Sequence, residues 1–162
     1  MLARMVRLVR AVTAPVVVVA APEQELPEIG DVLVVRDSVR GRGPLEGLAV
    51  GLEALRPHVD WAWVVATDMP ALSATILNRL WSIREGTDVV LPLVEGWRQP
   101  WAALYRTALA DSVRELLRAG ETRPRELLER CRVREWVVGP EEDSAAWRNL
   151  NTPEEYARWH SE

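Results

Sequence analysis

The sequence alternates short runs of consecutive apolar residues with stretches whose apolar residues recur every three or four positions. Val16–Ala20 and Trp61–Ala66 are such runs, and uninterrupted apolar runs are typical of strands that are buried on both faces. Between them, Leu45, Leu48, Leu52 and Leu55 recur at helical spacing. Strands that alternate with helices predict a parallel sheet with helices on both faces.

The same alternation continues along the whole chain, which at 162 residues and 18.3 kDa is long enough to bury a core. We predict one domain over residues 1–162, with a three-layer, doubly wound, mostly parallel α/β sheet of the Rossmann-like kind. Further strands are predicted at 32–35, 89–94, 101–105 and 133–138. Further helices are predicted at 2–12, after a Ser73 N-cap, at 109–117 up to Gly120, around 127–128 and at 153–160.

Composition excludes several classes of function. The net charge of −4 argues against non-specific electrostatic binding of nucleic acid, because such binding needs a basic surface. Cys131 is the only cysteine and there are two histidines, so an intrachain disulfide and the usual zinc spacings are excluded. No apolar run is long enough to span a bilayer. We therefore expect a cytoplasmic protein with no membrane or nucleic-acid partner.

Asp68 comes directly after the predicted strand Trp61–Ala66. Ligands of open parallel sheets bind at the carboxyl ends of the strands, and a carboxylate placed there can hold Mg²⁺ against the phosphates of a nucleotide. The alternative is that Asp68 only caps the turn into the next helix. Its placement supports the two interpretations equally.

A glycine-bearing loop leads into the helix that begins near Leu45. Glycine lets backbone N–H groups approach a ligand closely, and a helix N-terminus favours an anion. The simpler interpretation, which the residues alone favour, is a tight loop with Pro44 in the first helical turn after Gly43. Asp37 follows the preceding strand, as Asp68 follows its own.

Near the end of the chain, Thr152, Pro153 and Glu155 form the pattern of a capping box at a helix start. That pattern does not explain Asn149 and Asn151, whose alternation in an extended segment points both amides the same way.

Three segments, in this order, resemble the molybdenum cofactor guanylyltransferases, the MobA-like branch of the nucleotidyltransferases. They are Gly43-Pro44-Leu45-Glu46-Gly47-Leu48, Thr67-Asp68-Met69-Pro70 and Asn149-Leu150-Asn151-Thr152-Pro153-Glu154-Glu155.

The resemblance implies a role for each candidate residue. Asp68 would be the metal-binding and catalytic aspartate, and Asn149 and Asn151 would lie near the phosphates and the metal. The nucleotide-binding residues would be Asp37, Gly43, Pro44 and Leu45. Gln99, before Pro100, would lie on the pterin side of the cleft, although a bend at the entry to a strand explains it equally well.

The reaction that the resemblance implies is transfer of GMP from GTP to molybdenum-bound molybdopterin, with Mg²⁺ as cofactor and pyrophosphate as the second product. Other proteins of molybdenum cofactor synthesis are possible partners. Two alternatives remain open. The chain could be a related nucleotidyltransferase that uses CTP or another phosphorylated acceptor, or a non-catalytic module that binds the cofactor or a partner protein.

The non-catalytic alternative arises from one departure from the family pattern. The family opens with a strand, a glycine-rich phosphate loop and a lysine, whereas this sequence opens beyond that point and contains no lysine. A strand, a loop and their connection amount to roughly 20–30 residues. Either the natural protein is longer or the loop has been lost. We expect the former, because removal of a strand from a parallel sheet exposes apolar surface.

Overall fold

The structure is a computed structural model that describes residues 1–37, 43–69, 72–139 and 147. Its helices are α1 (Leu2–Arg10), α2 (Pro44–Leu55), α3 (Ala74–Ser82), α4 (Ala110–Arg118) and α5 (Pro124–Glu129). Its strands are β1 (Val17–Ala20), β2 (Leu33–Arg36), β3 (Trp61–Val65), β4 (Val89–Val94), β5 (Trp97–Arg98), β6 (Ala102–Arg106) and β7 (Val133–Val137).

The strands form two sheets. In the smaller sheet β1 pairs with β2 in parallel, with Val17 opposite Leu33. In the larger sheet β3 pairs with β6, β6 with β4, and β4 with both β5 and β7. The β4–β7 pair is parallel, whereas β6 is antiparallel to β3 and β4. The α/β fold class is confirmed, with a sheet of mixed strand direction.

The antiparallel strands follow from a tight turn after β4. Glu95 and Gly96 have φ of 50° and 84°, and the chain then returns along the same edge of β4 as β5 and β6. A connection this short can join only antiparallel strands, because a parallel pair needs a crossover. The pairing register changes between β5 and β6, so residues 99–101 bulge out of the ladder.

Helices cover the larger sheet on both faces. On one face α2, α4 and α5 bury their leucines against β3, β4 and β6 in the main core. On the other face α1 and α3 pack beside Met69 and Leu72. These two layers of helices around a central sheet are the three layers that the sequence predicts.

The local signals at helix ends are confirmed as well. Ser73 caps α3, since its Oγ accepts a hydrogen bond from the Ile76 backbone N–H at 3.4 Å. Gly120 has φ of 87° just after α4, a conformation that favours glycine. The short strand β5 is an element that the sequence pattern did not predict. The helix predicted at 153–160 lies outside the described residues.

A groove separates the two sheets. In the described part of the chain β1 pairs only with β2, and β3 pairs only with β6. A cavity of about 490 Å³ lies between β1 and β3. None of the described helices is long and apolar enough to cross a membrane.

Candidate active site

Asp68 lies in the turn at the carboxyl end of β3. The strand is anchored up to this turn, because the Ala66 N–H donates to the Trp101 carbonyl at 2.8 Å. On the far side of the turn Met69 and Leu72 are each only 2% exposed. Buried apolar side chains that flank a polar turn fix the position of the Asp68 backbone.

The Asp68 carboxylate is half-buried, and its Oδ1 is inaccessible to solvent without a hydrogen-bond partner among the described residues. A buried oxygen of this kind is costly unless something binds it. No group of three potential metal-binding side chains occurs in the described ranges. Asp68 is the candidate metal-binding carboxylate, because Mg²⁺ is commonly held by one or two carboxylates together with substrate phosphates, and its metal-binding role stays a prediction.

Asp37 occupies the corresponding position after β2. Its N–H donates to the Ala20 carbonyl at 3.0 Å, which extends the β1–β2 ladder by one residue. Its Oδ1 is buried and has no hydrogen-bond partner within the described chain. Burial raises the pKa of the Asp37 carboxyl, and the nearby Glu46 carboxylate raises it further. The nucleotide-binding role of Asp37 stays a prediction.

The first turn of α2 borders Asp37. A Cβ built on Gly47 would lie 3.6 Å from Asp37 Oδ1, which is an ordinary van der Waals contact, so this turn packs directly beside the carboxylate. Gly43 is the N-cap with φ of 75°, and Pro44 begins the helix. Leu45 is fully buried in the main core, so only its backbone can contact a nucleotide.

Sequence reasoning missed a buried ion pair behind this turn. The Glu46 side chain is 1% exposed, and its Oε1 lies 2.8 Å from Arg114 Nη1. Arg114 also binds Glu53 through its Nε and Nη2, each at 2.7 Å. These bonds, led by the one to Glu53, raise the pKa of the Arg114 guanidinium. The seven-residue spacing of Glu46 and Glu53, on one helix face beside buried Ala49, was the available signal.

Gln99 lies in the bulge between β5 and β6. Its N–H donates to the Pro92 carbonyl at 2.9 Å, and its side-chain amide donates to the Trp97 carbonyl at 3.3 Å. These hydrogen bonds agree with the interpretation that Gln99 forms a bend at the entry to a strand. The bulge lies beside the end of β3, since Trp101 binds Ala66. The role of Gln99 on the pterin side stays a prediction.

The structure brings some of the predicted residues together. Asp37 lies against the first turn of α2, whereas no described contact joins Asp37 to Asp68. The groove between the sheets extends from Gly47 to Thr67, the neighbour of Asp68. Asn149 and Asn151 lie outside the described residues, so their roles also stay predictions.

Comparison with known proteins decides the family. Residues 1–135 match the MobA-like NTP transferase domain. The chain belongs to this family of nucleotidyltransferases. It is 37% identical over 141 residues to a protein of Mycobacterium avium (strain 104) named probable molybdenum cofactor guanylyltransferase; the match covers 85% of this chain and 69% of that protein.

Solved structures agree with this family. The molybdopterin-guanine dinucleotide biosynthesis protein A of Archaeoglobus fulgidus matches with a TM-score of 0.64 and 26% identity, over 78% of this chain and 66% of its own. A 2-C-methyl-D-erythritol 4-phosphate cytidylyltransferase of Thermus thermophilus has a TM-score of 0.75 at 16% identity, over 99% of this chain and 87% of its own; it shares the fold. The chain spans about two thirds of the length of the Mycobacterium avium and Archaeoglobus fulgidus proteins.

Proposed function

We propose that this nucleotidyltransferase domain transfers GMP from GTP to the terminal phosphate of molybdenum-bound molybdopterin in the cytoplasm. The observation that supports the proposal most directly is Asp68. It presents a buried carboxylate oxygen without a protein partner in the described chain, at the strand end where ligands of such sheets bind. The names of the relatives support the choice of nucleotide and acceptor in this proposal.

In the proposed reaction an oxygen of the pterin phosphate attacks the α-phosphorus of GTP. The bond between that phosphorus and the bridging oxygen breaks, and pyrophosphate leaves with the electron pair. No side chain need act as a nucleophile, so the protein positions the two phosphates and neutralises charge. Bound Mg²⁺ would supply charge neutralisation on the phosphate oxygens.

Each candidate residue has a positioning role in this scheme. Asp68 would hold Mg²⁺, and Asp37 would accept hydrogen bonds from the nucleoside beside the Gly43 turn. Asn149 and Asn151 would orient the phosphates, and Gln99 would face the pterin.

The substitution Asp68→Asn tests the proposal. We expect wild-type protein to be stabilised against heat by GTP, more strongly with Mg²⁺ than without, because ligand binding to the folded state raises Tm. The substitution should abolish the contribution of Mg²⁺ and any pyrophosphate release in the presence of acceptor. Asp31→Asn, at an exposed loop position, removes the same charge and serves as control.

Two outcomes would redirect the proposal. Stabilisation by CTP rather than GTP would favour a cytidylyltransferase. Binding of the pterin alone, with neither nucleotide bound nor pyrophosphate released, would favour a non-catalytic module. An Asp68→Asn variant that kept its full response to Mg²⁺ would disprove the metal site.

A further inference from the structure

Trp97 is 76% exposed, more than any other large apolar side chain that the structure describes. The other tryptophans in the described ranges pack against a second tryptophan, an arginine or the main core; they are Trp61, Trp63, Trp81, Trp101, Trp136 and Trp147. Within those ranges Trp97 has no ring or arginine contact of this kind, although indole is the largest aromatic side chain. Both faces of its ring are therefore accessible to a ligand.

The backbone that carries Trp97 is held from several directions. In the β4–β5 pair Trp97 is opposite Val94. The Trp97 carbonyl accepts a hydrogen bond from the Gln99 side-chain amide at 3.3 Å. Next to it, Arg98 Nε donates to Glu135 Oε1 on β7 at 2.7 Å. The indole is thus exposed on an anchored hairpin, and an anchored aromatic residue loses little conformational entropy when it binds a ligand.

Trp97 lies at the same edge of the larger sheet as Asp68. β4 runs parallel to β3, because β6 is antiparallel to both. Val94, opposite Trp97, is the last residue of β4, and Asp68 follows the end of β3. Residues directly opposite each other on paired strands share a face of the sheet. Since Val94 packs in the same cluster as Met69, Trp97 lies on the face where Met69 packs beside Asp68.

Trp97 and Asp37 lie on opposite sides of Asp68. Asp37 follows β2 of the smaller sheet, across the groove from β3. Trp97 lies on the other side of β3, beyond β6 and against β4. In the proposed reaction the nucleoside lies at Asp37 and the phosphates lie at Asp68. The second substrate then has the side of Trp97 available to it.

The chemistry of an exposed indole favours a planar ring over a phosphate group. Indole carries no charge, whereas phosphate binding needs cations or several backbone donors. Flat aromatic side chains stack on flat heterocycles of many kinds, because each heterocycle presents a π-face. The pterin of the proposed acceptor contains such a ring.

We propose that the Trp97 indole stacks on the planar ring of the pterin acceptor and so helps to select that substrate. This inference rests on the proposed function, which supplies the acceptor. Trp97 binds and orients the ring, and it takes no part in the transfer itself.

The experiment follows the indole N–H resonance of Trp97 by NMR while biopterin is titrated into the 162-residue chain. The resonance is identified by its loss in Trp97→Phe, a variant that keeps an aromatic ring, and Trp97→Gln removes the ring. Val137→Gln is the matched control, because Val137 is an apolar residue that is 69% exposed. Val137 is opposite Leu93, so it lies on the other face of the sheet from Trp97. GTP with Mg²⁺ is titrated separately into each protein.

Biopterin should shift the Trp97 resonance, and its Kd should rise by about tenfold in Trp97→Gln. The Kd should rise by about twofold or less in Trp97→Phe and stay unchanged in Val137→Gln. The proposal is overturned if biopterin does not bind the wild-type chain or binds Trp97→Gln equally well. It is also overturned if GTP with Mg²⁺ shifts the Trp97 resonance, or if dilution does, since a second copy of the chain would then cover the ring.

The proposed function has a separate readout. Thermal stabilisation by GTP with Mg²⁺ should be the same in wild type and Trp97→Gln, because the nucleotide lies on the other side of Asp68. If that stabilisation persists while biopterin fails to depend on Trp97, the stacking proposal fails and the nucleotide site stands.

Discussion

The carboxylate before β4 differs from the carboxylates after β2 and β3 in how its oxygens are hydrogen-bonded. Asp88, before β4, accepts hydrogen bonds from the Arg132 backbone N–H at 3.0 Å, from its Nε at 3.0 Å and from its Nη2 at 2.8 Å. These bonds to Arg132 hold the pKa of the Asp88 carboxyl below its usual value. After β2 of the smaller sheet and after β3 of the larger sheet, Asp37 and Asp68 each have a buried Oδ1 without a partner in the described ranges.

We propose that this difference separates structural from binding carboxylates. Asp88 has donors supplied by the fold itself and fastens the start of β4 to the segment before β7. A buried acceptor without a donor costs about 1–3 kcal/mol of folding free energy. The fold bears this cost at the Oδ1 atoms of Asp37 and Asp68, which it buries away from water. The proposed function explains these oxygens, because a bound ligand would supply the missing partner. Three substitutions test the distinction. The first concerns Glu46, a buried carboxylate whose hydrogen-bond partner is supplied by the fold.

Arg114→Met should cause the largest loss of stability, because it removes the ion pair of the buried Glu46. Breaking a buried ion pair by removing one partner costs about 3 kcal/mol or more. The measurement is the free energy of unfolding in urea. Glu53→Gln is the control, since Glu53 is the more exposed of the two carboxylates that bind Arg114. This substitution should lower the free energy of unfolding by about 0.5 kcal/mol. Equal losses in the two variants would show that Glu46 does not depend on Arg114.

Asp88→Asn should have a smaller effect that depends on pH. The folded pKa of Asp88 lies below the unfolded value of 3.8. Its ionised form is therefore favoured by folding, and the stabilisation is present above pH 3.8 and lost as pH falls through the folded pKa. We expect Tm at pH 7 to fall by about 2–3 °C, with the deficit shrinking towards pH 2. A deficit independent of pH would mean that packing, not charge, explains the loss.

The sequence predicted local structure better than long-range partnerships. Apolar runs and helical spacing located β3, α2 and α4, because these patterns act within a few residues. The antiparallel direction of β6 depends on how the chain returns after β4, which periodicity does not encode. The position of Asp68 at a strand end was predictable, whereas the identity of the ion-pair partner of Glu46 was not, since Arg114 lies 68 residues away.

Asp37→Asn should have the smallest effect on stability, with the opposite sign from Asp88→Asn. Burial raises the folded pKa of Asp37 above 3.8. Its protonated form is therefore favoured by folding, and this contribution is full below pH 3.8 and lost as pH rises through the folded pKa. At pH 7 the neutral amide avoids the cost of burying a charge, so we expect Tm to be unchanged or slightly raised.

The same variant should bind GTP more weakly if Asp37 contacts the nucleoside, which a thermal shift with GTP at pH 7 would measure. A carboxylate held for a ligand thus loses binding without losing stability, whereas Asp88→Asn should lose stability without losing binding. If Asp37→Asn lowered Tm at pH 7 as much as Asp88→Asn does, Asp37 would be a structural residue. The unpartnered oxygen beside Gly47 would then need another explanation.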